Sequence, residues 1–173
     1  RPADSTETYE CWQLALENVN TPSVLALTRQ KLNPIRKEFY KENKCSYGAY
    51  EISRSNQDVK VTIIATGSEV NLALEVSHKL ATENIYSKVI SVPCQELFKQ
   101  QSDSYKDKIL NETEFTITIE AGSTSCWTDY IVNKGLNFGI DDFGKSAPYK
   151  KIYNYFGLTA ENITKKTKEM INK

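Results

Sequence analysis

The run Val59-Lys60-Val61-Thr62-Ile63-Ile64-Ala65-Thr66-Gly67-Ser68-Glu69 decides the fold class. Its first seven residues are mostly β-branched and apolar, the composition of a strand buried on both faces. Gly67-Ser68-Glu69 then supplies a tight turn and a helix start, and the helical pattern continues to about Asn84. A strand that feeds directly into a helix is the first half of a parallel crossover. Further along, Lys88–Val92 is a second strand stopped by Pro93, with a short helical stretch through Leu97 and Phe98. Phe115–Glu120 is a third, ending at Gly122 and followed by helical Trp127 to Val132. Phe138–Asp141 reads as a fourth, ahead of helices near Lys150–Tyr155 and Ala160–Ile171. On the other side, Tyr47–Ile52 reads as an edge strand. The pattern predicts an α/β three-layer sandwich with a mostly parallel sheet of about five strands.

Upstream, Asp4 and Glu7 have the spacing of a capping box, and Tyr9, Trp12 and Leu16 then recur at helical intervals as one apolar stripe. Thr21-Pro22 ends that helix. Val24-Leu25-Ala26-Leu27 reads as a short buried strand with Thr28-Arg29-Gln30 at its carboxyl end. From Lys31 to about Lys44 the residues are polar, as in a linker with one helical turn.

The chain has 173 residues, 22 basic and 22 acidic side chains, one His and four Cys. Zero net charge argues against duplex DNA or an anionic membrane as partner. No apolar run approaches the roughly 20 residues of a membrane-spanning helix. Cys11, Cys45, Cys94 and Cys126 lie far apart in sequence, without the spacing of a zinc site or a redox dithiol, and read as reduced thiols of a cytoplasmic protein.

Several residues invite chemistry. Gly67 and Ser68 open a helix after a strand and form a candidate anion site, although an N-cap is the simpler role. The lone His78 points to solvent, on the face of its helix away from Val76. Glu120, Asp141 and Asp142 stand at predicted strand ends, where open α/β sheets bind ligands, yet their spacing demands no metal. Arg29 follows a predicted buried strand. There its guanidinium either forks onto a phosphate or carboxylate, or anchors the linker through a salt bridge.

Taken together, these segments resemble the transketolase family. The resemblance rests on Arg1-Pro2-Ala3-Asp4, Leu25–Gln30, Ile64-Ala65-Thr66-Gly67-Ser68-Glu69-Val70, Ser91-Val92-Pro93-Cys94, Glu120-Ala121-Gly122-Ser123, Gly139–Pro148 and Phe156–Ile163. They match the carboxyl-terminal third of that family in order. The resemblance implies a homodimeric enzyme that uses thiamine diphosphate with Mg²⁺ or Ca²⁺. It would move a two-carbon ketol group from a ketose phosphate to an aldose phosphate in the pentose phosphate pathway. The family's Ser-Arg-Gln motif reads Thr28-Arg29-Gln30 here, so the resemblance assigns Arg29 to the phosphate of the sugar substrate.

By the same resemblance, residues 1–44 are the tail of the pyrimidine-binding domain plus linker, and 45–173 are the C-terminal domain. The catalytic, cofactor and metal ligands would lie upstream, so neither activity nor cofactor is expected of this chain alone. The absence of an initiator Met is read the same way. Residues 1–44 are then expected to be disordered, displaced or dimer-forming, since the strand at 24–27 lacks its sheet. Deoxyxylulose-phosphate synthase, the beta subunit of a 2-oxoacid dehydrogenase and a free-standing anion- or protein-binding module are the alternatives.

Overall fold

The computed structural model describes residues 1–36 and 41–172. Five strands form one sheet in the order β1-β3-β2-β4-β5. At its centre β2 (Val61–Ala65) runs parallel to β3 (Ser87–Ser91) on one side and β4 (Phe115–Ile119) on the other. β5 (Lys134–Phe138) continues the parallel set, while β1 (Tyr50–Arg54) closes the opposite edge antiparallel to β3. Every residue of β2, β3 and β4 is buried, which is why β2 and β4 read as near-continuous β-branched runs.

Alternation along β2 builds the two cores. Val61, Ile63 and Ala65 face a layer made by α2 (Glu69–Ala81) and α6 (Ala160–Ile171), with Val70, Ala73, Val76, Leu80 and Ile163 fully buried. Ile64 faces the other way, joining Ile90, Phe98, Ile109, Trp127 and Tyr130 from β3, α3 (Gln95–Lys99), α4 (Asp103–Leu110) and a 3₁₀ stretch at Thr124–Tyr130. Each fully buried branched or aromatic side chain contributes about 1.5–3 kcal/mol. Lys88 of β3, paired with Thr62 of β2, is also fully buried, and its ammonium donates to Glu112 at 2.8 Å and the Lys108 carbonyl at 3.1 Å. Gly48 approaches α3 so closely that a Cβ there would lie 2.1 Å from the Phe98 nitrogen.

The expected three-layer α/β sandwich is the observed one, and its last part corrects two details. The fifth strand is Lys134–Phe138 rather than Phe138–Asp141. This edge strand carries little apolar signal, and Gly135 packs where a Cβ would lie 2.2 Å from the Thr116 carbonyl oxygen. The helix α4 was not anticipated, because its sequence is polar apart from Tyr105, Ile109 and Leu110 and only Ile109 is buried. Downstream, α5 (Tyr149–Phe156) and α6 lie where the helical periodicity places them.

The first segment departs further from expectation. Val24–Leu27 forms no strand, and Val24 and Leu27 are 91% and 52% exposed. No neighbouring strand among the described residues offers it a ladder. Upstream, helix α1 (Ser5–Glu17) ends before Thr21-Pro22 and is docked on the sheet domain rather than displaced. Its apolar stripe points away from that domain, with Tyr9 and Leu16 each 73% exposed and Trp12 51%. The buried face is acidic: Glu7 and Glu10. Of the expected linker, residues 37–40 lie outside the described residues; Lys44–Tyr47 forms a 3₁₀ turn.

Candidate functional site

Carboxylates dock α1. Asp4 caps the helix by accepting from the Glu7 nitrogen at 2.8 Å, and its second oxygen accepts from the Ile35 nitrogen at 2.9 Å. Glu7 does not return the bond to Asp4 as a full capping box would. Its carboxylate instead accepts from the Ala3 nitrogen at 2.7 Å, the Tyr50 hydroxyl at 2.7 Å and the Ser91 hydroxyl at 2.6 Å. Burial pushes its pKa up, against the pull of those three donors. Glu10 accepts from the Cys45 nitrogen at 3.0 Å and pairs with Arg36 at 2.8 Å.

This docking carries Arg1 to the carboxyl ends of the parallel strands. There β2 runs into Thr66-Gly67-Ser68 and β4 into Glu120-Ala121-Gly122. Gly67, at φ +57°, donates its backbone N–H to the Arg1 carbonyl at 3.1 Å. The Arg1 guanidinium then spans both strand ends, reaching Glu69 at 2.9 Å and Glu120. Glu69 is fully buried and also accepts from the Ser68 hydroxyl at 2.7 Å and from the Tyr153 hydroxyl. Glu120 accepts in addition from the Trp127 indole N–H. Burial, together with the Glu69 carboxylate, raises the pKa of the Tyr153 phenol.

Beside this network lies a cavity of about 310 Å³ lined by Arg1, Leu27, Thr28, Gln30, Ser68 and Tyr153, among others. Two of the sequence-derived candidates therefore meet: the Gly67-Ser68 turn and the Thr28-Arg29-Gln30 motif share one wall-to-wall space. The Thr28 hydroxyl accepts from the Gln30 nitrogen at 3.2 Å, folding the motif into a tight bend. Thr28 and Gln30 line this cavity, whereas Arg29 between them does not; it is exposed and makes no ion pair among the described residues.

The other candidates stand apart. Asp141 is an exposed loop fastener, accepting from the Thr124 nitrogen at 2.8 Å and hydroxyl at 2.7 Å, which lowers its pKa. Asp142 accepts from the Phe143 nitrogen at 2.7 Å. His78 is exposed on α2. Among the described residues no group of three or more His, Cys, Asp or Glu side chains is arranged to hold a metal ion. Arg1, Trp127 and Tyr153 were missed from the sequence, since no local spacing links them. Of this network, the sequence singled out only Glu120, by its strand-end position, and Ser68, by its place at a helix start.

Comparison with known proteins extends these observations. The family described as "Transketolase-like TK C-terminal domain" matches residues 48–159. Transketolase of Sinorhizobium medicae is 40% identical over 174 residues, which cover 100% of this chain and 25% of that protein. Transketolase of Bacillus subtilis is 40% identical over 177 residues, 100% of this chain and 26% of that one. This chain thus spans about a quarter of the length of the relatives it matches. Among solved structures, transketolase from Leishmania mexicana superposes with TM-score 0.87 at 34% identity, covering 98% of this chain and 24% of that chain. Transketolase from Campylobacter jejuni does so with TM-score 0.83 at 33% identity, covering 95% and 24%.

Proposed function

Since this chain belongs to the transketolase family, we propose that it serves as the carboxyl-terminal part of a thiamine-diphosphate-dependent transketolase. The observation that carries this reading is the similarity at about 40% identity along the whole chain to proteins named transketolase. The proposed reaction moves a two-carbon ketol group between sugar phosphates in the pentose phosphate pathway, in a cytoplasmic homodimer. Residues 1–44 are proposed as the end of the pyrimidine-binding domain plus linker, and 45–173 as the C-terminal domain.

Within that enzyme, Arg29 is the group proposed to hold the substrate's phosphate. Its placement favours the role: an exposed guanidinium, without an ion pair among the described residues, on a bend pinned by Thr28. Two parallel N–H donors of a guanidinium match two phosphate oxygens. The Gly67-Ser68 turn is the proposed secondary anion position. Glu69 already takes the Ser68 hydroxyl and the Arg1 carbonyl takes the Gly67 N–H, so an anion there would engage the Ser68 backbone N–H.

The described residues do not fit thiamine diphosphate and its cation. The strand-end pocket sets two carboxylates against one guanidinium, which disfavours a diphosphate, and both carboxylates are already engaged. The ligands of the cofactor are proposed to lie in other parts of the enzyme.

The test is reconstitution. The chain is combined with Bacillus subtilis transketolase lacking the matching quarter and assayed for ketol transfer. Activity is expected from the mixture and none from the chain alone. Arg29→Ala in the active mixture is expected to raise KM for phosphorylated sugars more than it lowers kcat. Turnover, or thiamine diphosphate binding, by the chain alone would overturn the proposal, as would an unchanged preference for phosphorylated over free sugars in Arg29→Ala.

A further inference from the structure

Two cysteines 34 positions apart in sequence meet where α1 docks on the sheet domain. Cys11 sits on α1 and Cys45 in the 3₁₀ turn Lys44–Tyr47. The Cys45 sulfur lies 3.8 Å from the Glu7 carbonyl oxygen, the acceptor to which the Cys11 nitrogen is directed one helical turn on. The Cys45 backbone nitrogen donates to the Glu10 carboxylate at 3.0 Å, so backbone and sulfur of Cys45 both lie against the turn of α1 that carries Cys11. Cys45 is buried and Cys11 is half-buried, so an oxidant reaches Cys11 first.

We propose that Cys11 and Cys45 are a reversible disulfide site that clamps α1 to the sheet domain and closes the loop carrying Thr28-Arg29-Gln30. The oxidant class is a hydroperoxide. Cys11 Sγ attacks one peroxide oxygen; an S–O bond forms, the O–O bond breaks, and the leaving hydroxide takes the thiol proton as water. Cys45 Sγ then attacks the sulfur of the resulting sulfenic acid. The S–S bond forms, the S–O bond breaks, and a second water departs with the Cys45 proton. Two thiols are oxidised while one hydrogen peroxide is reduced to two waters, and an added dithiol reverses the change.

The division of roles follows from the local electrostatics. Interaction with the Cys45 side chain pulls the Cys11 pKa down, and the same interaction, with burial, pushes Cys45 up. Cys11 is thus the attacking thiol and Cys45 the resolving one. The other two cysteines provide an internal control. Cys126 is exposed, and Cys94 has its pKa raised, first by burial.

The experiment treats the reduced chain with stoichiometric hydrogen peroxide, alkylates the remaining thiols and maps the peptides by mass spectrometry. The expected product is 2 Da lighter, has lost two of its four thiols and carries one cross-link joining the Cys11 and Cys45 peptides, which dithiothreitol removes. Its Tm is expected to rise by about 10 °C over the reduced form, because the closed loop of 35 positions restricts the unfolded chain. In Cys45→Ser the sulfenic acid at Cys11 is expected to persist and take up dimedone. Retention of all four thiols, a cross-link through Cys94 or Cys126 with the pair intact, or an unchanged Tm in the cross-linked form would overturn the proposal. None of these readouts depends on ketol transfer.

Discussion

The Arg1 guanidinium meets Glu69, 68 positions away in sequence, at 2.9 Å, and the Glu69 side chain is wholly shielded from water. One carboxylate in the first turn of α2 and one guanidinium ahead of α1 thereby tie the first residue of the chain to the end of the central strand. Arg1 also holds Glu120, so it bridges the ends of β2 and β4. The strand-end cavity is shaped by this network rather than by any single loop.

Removing the cation strands a buried charge. Arg1→Ala is expected to cost about 3 kcal/mol in urea unfolding, the usual range for breaking one side of a buried pair. Glu69→Gln with Arg1 in place is expected to cost less, because Ser68 and Tyr153 can still hydrogen-bond the amide. Equal losses from the two substitutions would show that the pair does not act as a charge pair.

Glu7 gives the chain a signature in pH. Its pKa is raised in the folded state by burial, so the folded protein favours the protonated carboxyl. Its contribution to stability is therefore fully present below the ordinary Glu value of 4.5 and is lost as pH rises through the folded pKa. Measured against Glu7→Gln, the wild type is expected to lose ground progressively above about pH 4.5. Glu7→Ala is expected to cost about 2–4 kcal/mol at pH 4.5 and less as pH rises, because the Ala3 nitrogen and the Tyr50 and Ser91 hydroxyls lose their acceptor.

Glu112 runs the opposite way. Arg54 and Lys88 hold its pKa down at about 2. Its stabilisation is present above the ordinary value of 4.5 and lost as pH falls towards 2. The stability gap between wild type and Glu112→Gln, followed by chemical denaturation, is expected to be constant above about pH 5 and to close by about pH 2. Its side chain is 43% exposed, so salt is expected to shrink the gap.

The outward stripe of α1 bears on the proposed function. Trp12→Ser with Leu16→Ser is expected to leave the stability of this chain within about 1 kcal/mol, because both residues are more than half exposed. In the reconstituted enzyme the same pair of changes is expected to weaken assembly at least tenfold, as read by titration of activity. Unimpaired assembly would place the interface elsewhere.

Much of the fold was legible because its signal is local. Val61–Ala65, Ser87–Ser91 and Phe115–Ile119 are buried on both faces, and that demand is written into the first and third as β-branched runs and into the second as the Val89-Ile90 pair ahead of Pro93. Strand-to-helix order then leaves little freedom of topology. The candidate site was half legible. Thr28-Arg29-Gln30 and Gly67-Ser68 are visible as motifs, but their shared cavity depends on Arg1, Tyr153 and the bend at Thr28.

By itself, then, the order of residues determined the α/β class, the parallel core strands and the capped start of α1 at Asp4. Tertiary structure decided which side of α1 faces inward, and it chose the acidic side against the hydrophobic pattern. The physical reason is that an apolar stripe states only a preference for leaving water. Glu7 and Glu10 are buried because Ala3, Cys45, Tyr50, Ser91 and Arg36 converge on them with donors, and that convergence exists only once the chain is folded.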